Sequence, residues 1–258
     1  MGFIQIWSRL QARNKRTASV LFFRKPLKMD NQVPFISFTF DDFPRSAFHA
    51  GGDILLRSGL RATYYASLGL MGTEAPTGPI FTLDDVKELL ARGDELGCHT
   101  FDHCHSLISS PRLFEDSIIK NKRAINGLVP GTVFKTFSYP LDSPRLFTKR
   151  RTGRHFRCCR GGGQTFNAGT TDRNFLKSFF LEHSRDNPGS IKNVIENNSL
   201  VKGWLIFTTH DISETPTRYG CTPSFFEDIV KRSMDSGARI LPVAEALDAI
   251  CSDPTTEG

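Results

Sequence analysis

Short β-type runs alternate with helical patterns along most of the chain, and this alternation narrows the fold to a parallel sheet wrapped by helices. The strand candidates are residues 35–40, 61–66, 97–100, 136–139, 156–159, 175–180, 204–209 and 239–242. Between them, residues 83–96 place Val86, Leu89, Leu90 and Leu96 near one helical face, with Thr82 and Asp85 spaced as a capping box. Further helices are predicted over 112–126, 189–201, 223–236 and 243–251. Repeated strand and helix units within 258 residues fit a TIM-like barrel better than an open sheet, although periodicity does not decide closure.

No Pro/Ser-rich linker divides the chain, so the expectation is one domain over residues 31–258, preceded by a basic arm over residues 1–30. Residues 1–28 carry Arg9, Arg13, Lys15, Arg16, Arg24, Lys25 and Lys28 without an acidic residue, interleaved with Phe3, Ile4, Ile6, Trp7 and Leu10. Two readings of this arm stay open: a solubilising tail, or an amphipathic segment in peripheral contact with an anionic membrane. The apolar run 18–23 is too short for a secretory core or a membrane span. The six cysteines include the adjacent Cys158 and Cys159 and no CxxC, which predicts free thiols in a reducing cytoplasm. A net charge of +6 with no basic reading helix beyond the arm gives no reason to expect nucleic-acid binding.

Three segments carry chemistry. Phe38-Thr39-Phe40 runs straight into Asp41-Asp42, so paired carboxylates stand at a strand end, where barrels gather reactive groups. One could hold a metal while the other accepts a proton, although such a pair also serves as a helix cap or turn. His99 and His103 stand four residues apart, a spacing that puts both imidazoles on one face of a helical turn, with His105 as a competitor. Together with Asp42 they make a set of two histidines and one carboxylate with positions left open, the pattern of a catalytic rather than a structural site. The apolar strand 204–209 ends in His210, which could act as a general acid if a carboxylate supports its imidazolium; the sequence does not identify that partner.

In order and in kind, Thr39-Phe40-Asp41-Asp42, His99-Thr100-Phe101-Asp102-His103 and the strand ending in His210 resemble the motifs of the polysaccharide deacetylase (NodB-homology) family, carbohydrate esterase family 4. The resemblance runs from Phe35 to about Ile250, some five sixths of the chain. It implies a distorted (β/α) barrel of seven or eight strands. It also implies Asp41 as base, Asp42, His99 and His103 as ligands of one divalent metal ion, zinc by expectation, and His210 as acid. The activity implied is hydrolysis of the acetamide of an N-acetylated saccharide, with a non-sugar amide hydrolase or an inactive saccharide-binding barrel as alternatives.

Two departures from the family pattern stand out. The third motif, commonly R-x-P-Y, reads Ser138-Tyr139-Pro140-Leu141, so the arginine that positions the catalytic Asp is missing while the Leu141 N–H remains available to an oxyanion. Arg160, which precedes Gly161-Gly162-Gly163, is the candidate to take its place. The fourth motif, usually built around an aspartate and a tryptophan, is not recognisable in residues 157–171.

Overall fold

The computed structural model describes residues 21–141 and 143–252. Its strands are β1 (Pro26–Lys28), β2 (Phe35–Phe40), β3 (Thr63–Ala66), β4 (Glu74–Ala75), β5 (Gly78–Pro79), β6 (Glu95–Cys98), β7 (Thr136–Ser138), β8 (Cys158–Arg160), β9 (Thr170–Asp172), β10 (Phe179–Phe180), β11 (Trp204–Thr209) and β12 (Arg239–Ile240). The helices are α1 (Asp53–Arg57), α2 (Leu83–Arg92), α3 (Pro111–Leu128), α4 (Leu146–Thr152), α5 (Pro188–Leu200), α6 (Pro223–Asp235) and α7 (Val243–Ser252).

Eight strands form one parallel sheet in the order β10-β11-β2-β3-β6-β7-β8, with β12 beside the first half of β2. β2 pairs with β11 over its full length, and every residue of both strands is buried, as expected for the centre of a sheet covered on both faces. The sheet curls until its two ends approach. Leu176 bridges to Arg160 on β8, and the same stretch of chain then pairs with β11 through Phe179 and Phe180. The result is the distorted barrel expected from the sequence.

Local sequence explains where the helices start. Thr82 and Asp85 form the capping box of α2, and Gly93 ends that helix in a left-handed conformation at φ +81°. Ser110 before Pro111 and Thr222 before Pro223 each cap the helix that follows through a side-chain oxygen, with proline in the first turn. A π-helical stretch, Ala47–Gly52, leads into α1. It packs so closely on the barrel that a methyl at Gly51 would stand 2.9 Å from the Phe40 ring.

The structure corrects several expectations. Residues 1–20 of the expected arm lie outside the described residues, but 21–30 are not loose. β1 pairs antiparallel with β9, and Leu27 and Met29 enter a core cluster with Trp204 and Leu247. The arm boundary at residue 30 is therefore too late. The pair of short strands β4 and β5, and the helices α1 and α4, went unrecognised because each is too brief to build a periodic pattern. Most consequential for the site, β8 ends at Arg160 rather than Cys159, so Arg160 belongs to the barrel wall.

Candidate active site

Every residue singled out from the sequence lies at the carboxyl end of a barrel strand or just beyond it, which is where parallel barrels collect reactive groups. Asp41 and Asp42 follow β2, His99 follows β6, Leu141 lies three residues past β7, Arg160 closes β8 and His210 follows β11. Asp41, Asp42, His99, His103, Leu141 and His210 line one cavity of about 490 Å³.

His99 and His103 do share a site, though not on a helical turn as their spacing suggested. No helix covers residues 99–103. Thr100 and His103 adopt left-handed backbone conformations, at φ +63° and +49°, and the Thr100 hydroxyl accepts from the Cys104 N–H. Asp42 and Leu141 are also left-handed, at φ +61° and +57°. Such conformations cost on the order of 1–3 kcal/mol each in non-glycine residues and cluster at sites that need a side chain aimed in one direction.

The aim here is toward a common point. Asp42 Oδ1 lies 3.2 Å from His103 Nε2 and 3.7 Å from His99 Nε2. Donors held about 2.1 Å from one tetrahedral ion stand roughly 3.4 Å apart, so the three atoms fit a zinc-sized cation. Three further observations agree. Asp42 Oδ1 is buried without a hydrogen-bond donor. His99 Nδ1 donates to the Ser138 carbonyl at 2.8 Å, which leaves the Nε2 lone pair facing Asp42. Burial pushes the His99 pKa down to about 4, keeping the ring neutral and able to ligate. His105 is not among the three residues whose donor atoms converge.

Next to this cluster, Asp41 is buried and its Oδ1 accepts a hydrogen bond from Arg160 Nη2. Burial by itself would raise the Asp41 carboxyl, but the Arg160 guanidinium, helped by His99 and His210, holds it below the usual aspartate range. Arg160 is itself buried, with its guanidinium carbon 4.8 Å from the centre of the Tyr65 ring. The structure thus brings Arg160 from β8 to the carboxylate that the missing motif arginine would have held.

Across the cavity, His210 Nδ1 donates to the Tyr219 carbonyl at 3.2 Å and lies 3.7 Å from Glu182 Oε1, leaving Nε2 for the cavity. Glu182, which follows β10, is the carboxylate the sequence did not identify. Its burial pushes its pKa up to about 7, with the neighbouring His210 pulling in the other direction. One signal could have found it: Phe179-Phe180-Leu181-Glu182 repeats the pattern of an apolar strand running into a carboxylate seen at Phe40-Asp41. The β4 and β5 pair also contributes, with Glu74 and Pro76 in the cavity wall and the Thr77 hydroxyl donating to Asp42 Oδ2 at 3.4 Å.

Comparison with known proteins bears on the barrel that carries this site. The sequence model of the polysaccharide deacetylase family matches residues 28–146. Among solved structures, the chitin deacetylase of the fungal pathogen Colletotrichum lindemuthianum superimposes with a TM-score of 0.60 at 16% identity, covering 85% of this chain and 89% of that one. The carbohydrate esterase family 4 domain of a multidomain xylanase, from the hindgut metagenome of Trinervitermes trinervoides, gives 0.58 at 21% identity, covering 88% and 95%. A wild-type pseudoenzyme of the same family from Bacillus anthracis gives 0.59 at 13% identity, covering 84% and 66%. At these identities the likeness is one of fold. No curated protein matches the chain. The family match over residues 28–146 and the barrel shared over more than four fifths of the chain lead to one conclusion: this chain resembles the polysaccharide deacetylase family in the sequence of its N-terminal half and in its fold.

Proposed function

We propose that the protein is a metal-dependent N-deacetylase that hydrolyses the acetamide of an N-acetylated sugar, an oligosaccharide or a sugar precursor, to a free amine and acetate. The observation that carries this reading is the placement of the Asp41–Arg160 pair and the His210–Glu182 pair around one cavity whose floor is the Asp42, His99 and His103 cluster.

Asp42, His99 and His103 would hold the metal ion, zinc by preference for its nitrogen-rich set. When bound there, a divalent ion supplies Lewis acidity to the amide carbonyl and makes water easier to deprotonate. Asp41, kept ionised by Arg160, takes a proton from the attacking water. The Leu141 N–H is the protein donor available to the oxygen that gains charge, its backbone turned by the left-handed conformation at φ +57°. His210, held by Tyr219 and Glu182, delivers a proton from Nε2 to the departing nitrogen.

Glu182→Gln tests the last of these roles. Burial raises the Glu182 pKa to about 7, so in the parent kcat should rise with pH through about 7 as Glu182 ionises beside His210, and the glutamine variant should lose that step and run at a lower kcat. A pH profile identical to the parent's would assign Glu182 to structure alone.

The direct test of the activity is acetate release from N-acetylated chito-oligosaccharides by the purified protein, before and after chelation and again after zinc is restored. Release that stops with chelation and returns with zinc supports the reading. Bound metal without release from sugars, but with ring opening of a cyclic ureide, would move the substrate to non-sugar amides. Saccharide binding with no hydrolysis of either class would make the protein a binding barrel, a reading prompted by the Bacillus anthracis pseudoenzyme of the same fold. The six free thiols, four of them buried, support a reducing cytoplasmic setting and hence a saccharide found there.

A further inference from the structure

One face of the barrel outside the cavity combines exposed apolar side chains with cations that have no acidic partner among the described residues. Phe147, Arg150 and Arg151 on α4, with Arg154 in the turn that follows it, line a shallow groove of about 170 Å³. The Phe23 ring packs 6.0 Å from that of Phe147, and the Arg150 guanidinium lies 5.0 Å over Phe23. Leu21, Phe22 and Phe147 are each more than half exposed, at 63%, 58% and 57%. Arg151 pairs with Glu115, but Arg24, Arg150 and Arg154 meet no carboxylate among the described residues.

This face is built rather than loose. Beneath it, the wholly buried Lys149 pairs with Asp172 Oδ2 at 2.5 Å and donates to the Phe22 carbonyl at 3.0 Å, while Asn174 Nδ2 donates to the Phe23 carbonyl at 2.9 Å. Those contacts hold residues 21–23 on the side of α4 and leave their side chains outward. The chain continues from this point into residues 1–20, which add Arg9, Arg13, Lys15 and Arg16, with Phe3, Ile4, Trp7 and Leu10 and no acidic residue. Like charge disfavours those residues as a cover for the arginine groove.

We propose that this face, formed by Leu21, Phe22, Phe147, Arg150 and Arg154, docks the protein on a bilayer carrying anionic headgroups. Aromatic and leucine side chains enter the interfacial zone of a bilayer, while arginines meet the phosphates, a combination that suits an amphipathic membrane-surface contact. Nucleic acid, the other common polyanion, would match the arginines but give Leu21 and Phe22 no apolar phase to enter. The inference does not depend on deacetylase activity, since vesicle binding is read without substrate.

The test is co-sedimentation of the full chain with vesicles of phosphatidylcholine alone, or with one third phosphatidylglycerol added. The expected result is binding only to the anionic vesicles, weakened by about tenfold for each reversal in Arg150→Glu and Arg154→Glu. Phe147→Ser should reduce the binding that persists at high salt, where screening removes the ionic share. An unchanged melting temperature checks that each variant is folded, and Arg150→Gln with Arg154→Gln replaces any that is not. No binding to anionic vesicles overturns the proposal. So does binding that survives both arginine changes but is lost when residues 1–20 are deleted, which would assign it to the arm alone. A single-stranded oligonucleotide bound through the same arginines, with vesicles ignored, overturns it in favour of nucleic acid.

Discussion

Asp41→Asn is expected to lower kcat by about three orders of magnitude while leaving zinc bound, the size of effect seen when a positioned general base is lost. The substitution keeps the shape and an oxygen that can accept from Arg160, but removes the negative charge and the proton-accepting capacity. The contrast with Asp41→Ala is informative. Alanine leaves the buried Arg160 guanidinium without a counter-charge, and breaking a buried pair in this way costs about 3–5 kcal/mol of stability. A melting temperature that falls much further in the alanine variant than in the asparagine variant, with both inactive, separates proton transfer from structural support. Full activity in Asp41→Asn would remove Asp41 from the chemistry.

Asp42→Ala or His103→Ala is expected to weaken zinc binding by more than about a hundredfold, because loss of even an outer partner of a metal ligand costs 10–100-fold. Metal content after gel filtration is the direct readout: about one ion per chain in the parent and none retained in either variant. His103 is the cleaner position, being partly exposed, whereas His99 is buried and its loss opens a cavity. Retention of zinc in both variants would place any metal elsewhere in the molecule.

The central strands and the main helices were legible because they are long enough to repeat a pattern. Phe35–Phe40 and Trp204–Thr209 are runs dominated by aromatic, aliphatic and β-branched residues, and Thr82 with Asp85 announces α2. Asp41, Asp42, His99, His103 and His210 were legible for a different reason: each follows an apolar strand or repeats at a fixed spacing. What the sequence hides is pairing across the barrel. Arg160 reaches Asp41 from 119 residues away, and Glu182 stands beside His210 only because the chain around Leu176 bends from β8 to β11. The helical spacing of His99 and His103 misled on conformation, since left-handed residues at Thr100 and His103 bring the two rings together without a helix. No local pattern marks the β4 and β5 pair, whose strands are two residues each.

The pairing of β2 with β11 also sets a timetable for the chain as it leaves the ribosome. β2 emerges early and carries Asp41 and Asp42 at its end, yet the strand that completes its long edge lies some 168 residues later. At about 5–20 residues per second, β11 follows after roughly 8–34 seconds. Throughout that interval the edge of β2 that β11 will occupy stays open, even once β3 has paired with the other edge, a form prone to joining the edge of another chain. Nascent molecules are therefore most exposed to aggregation before His210 is made, and slowing translation between residues 41 and 204 should lower the soluble yield more than slowing it afterwards.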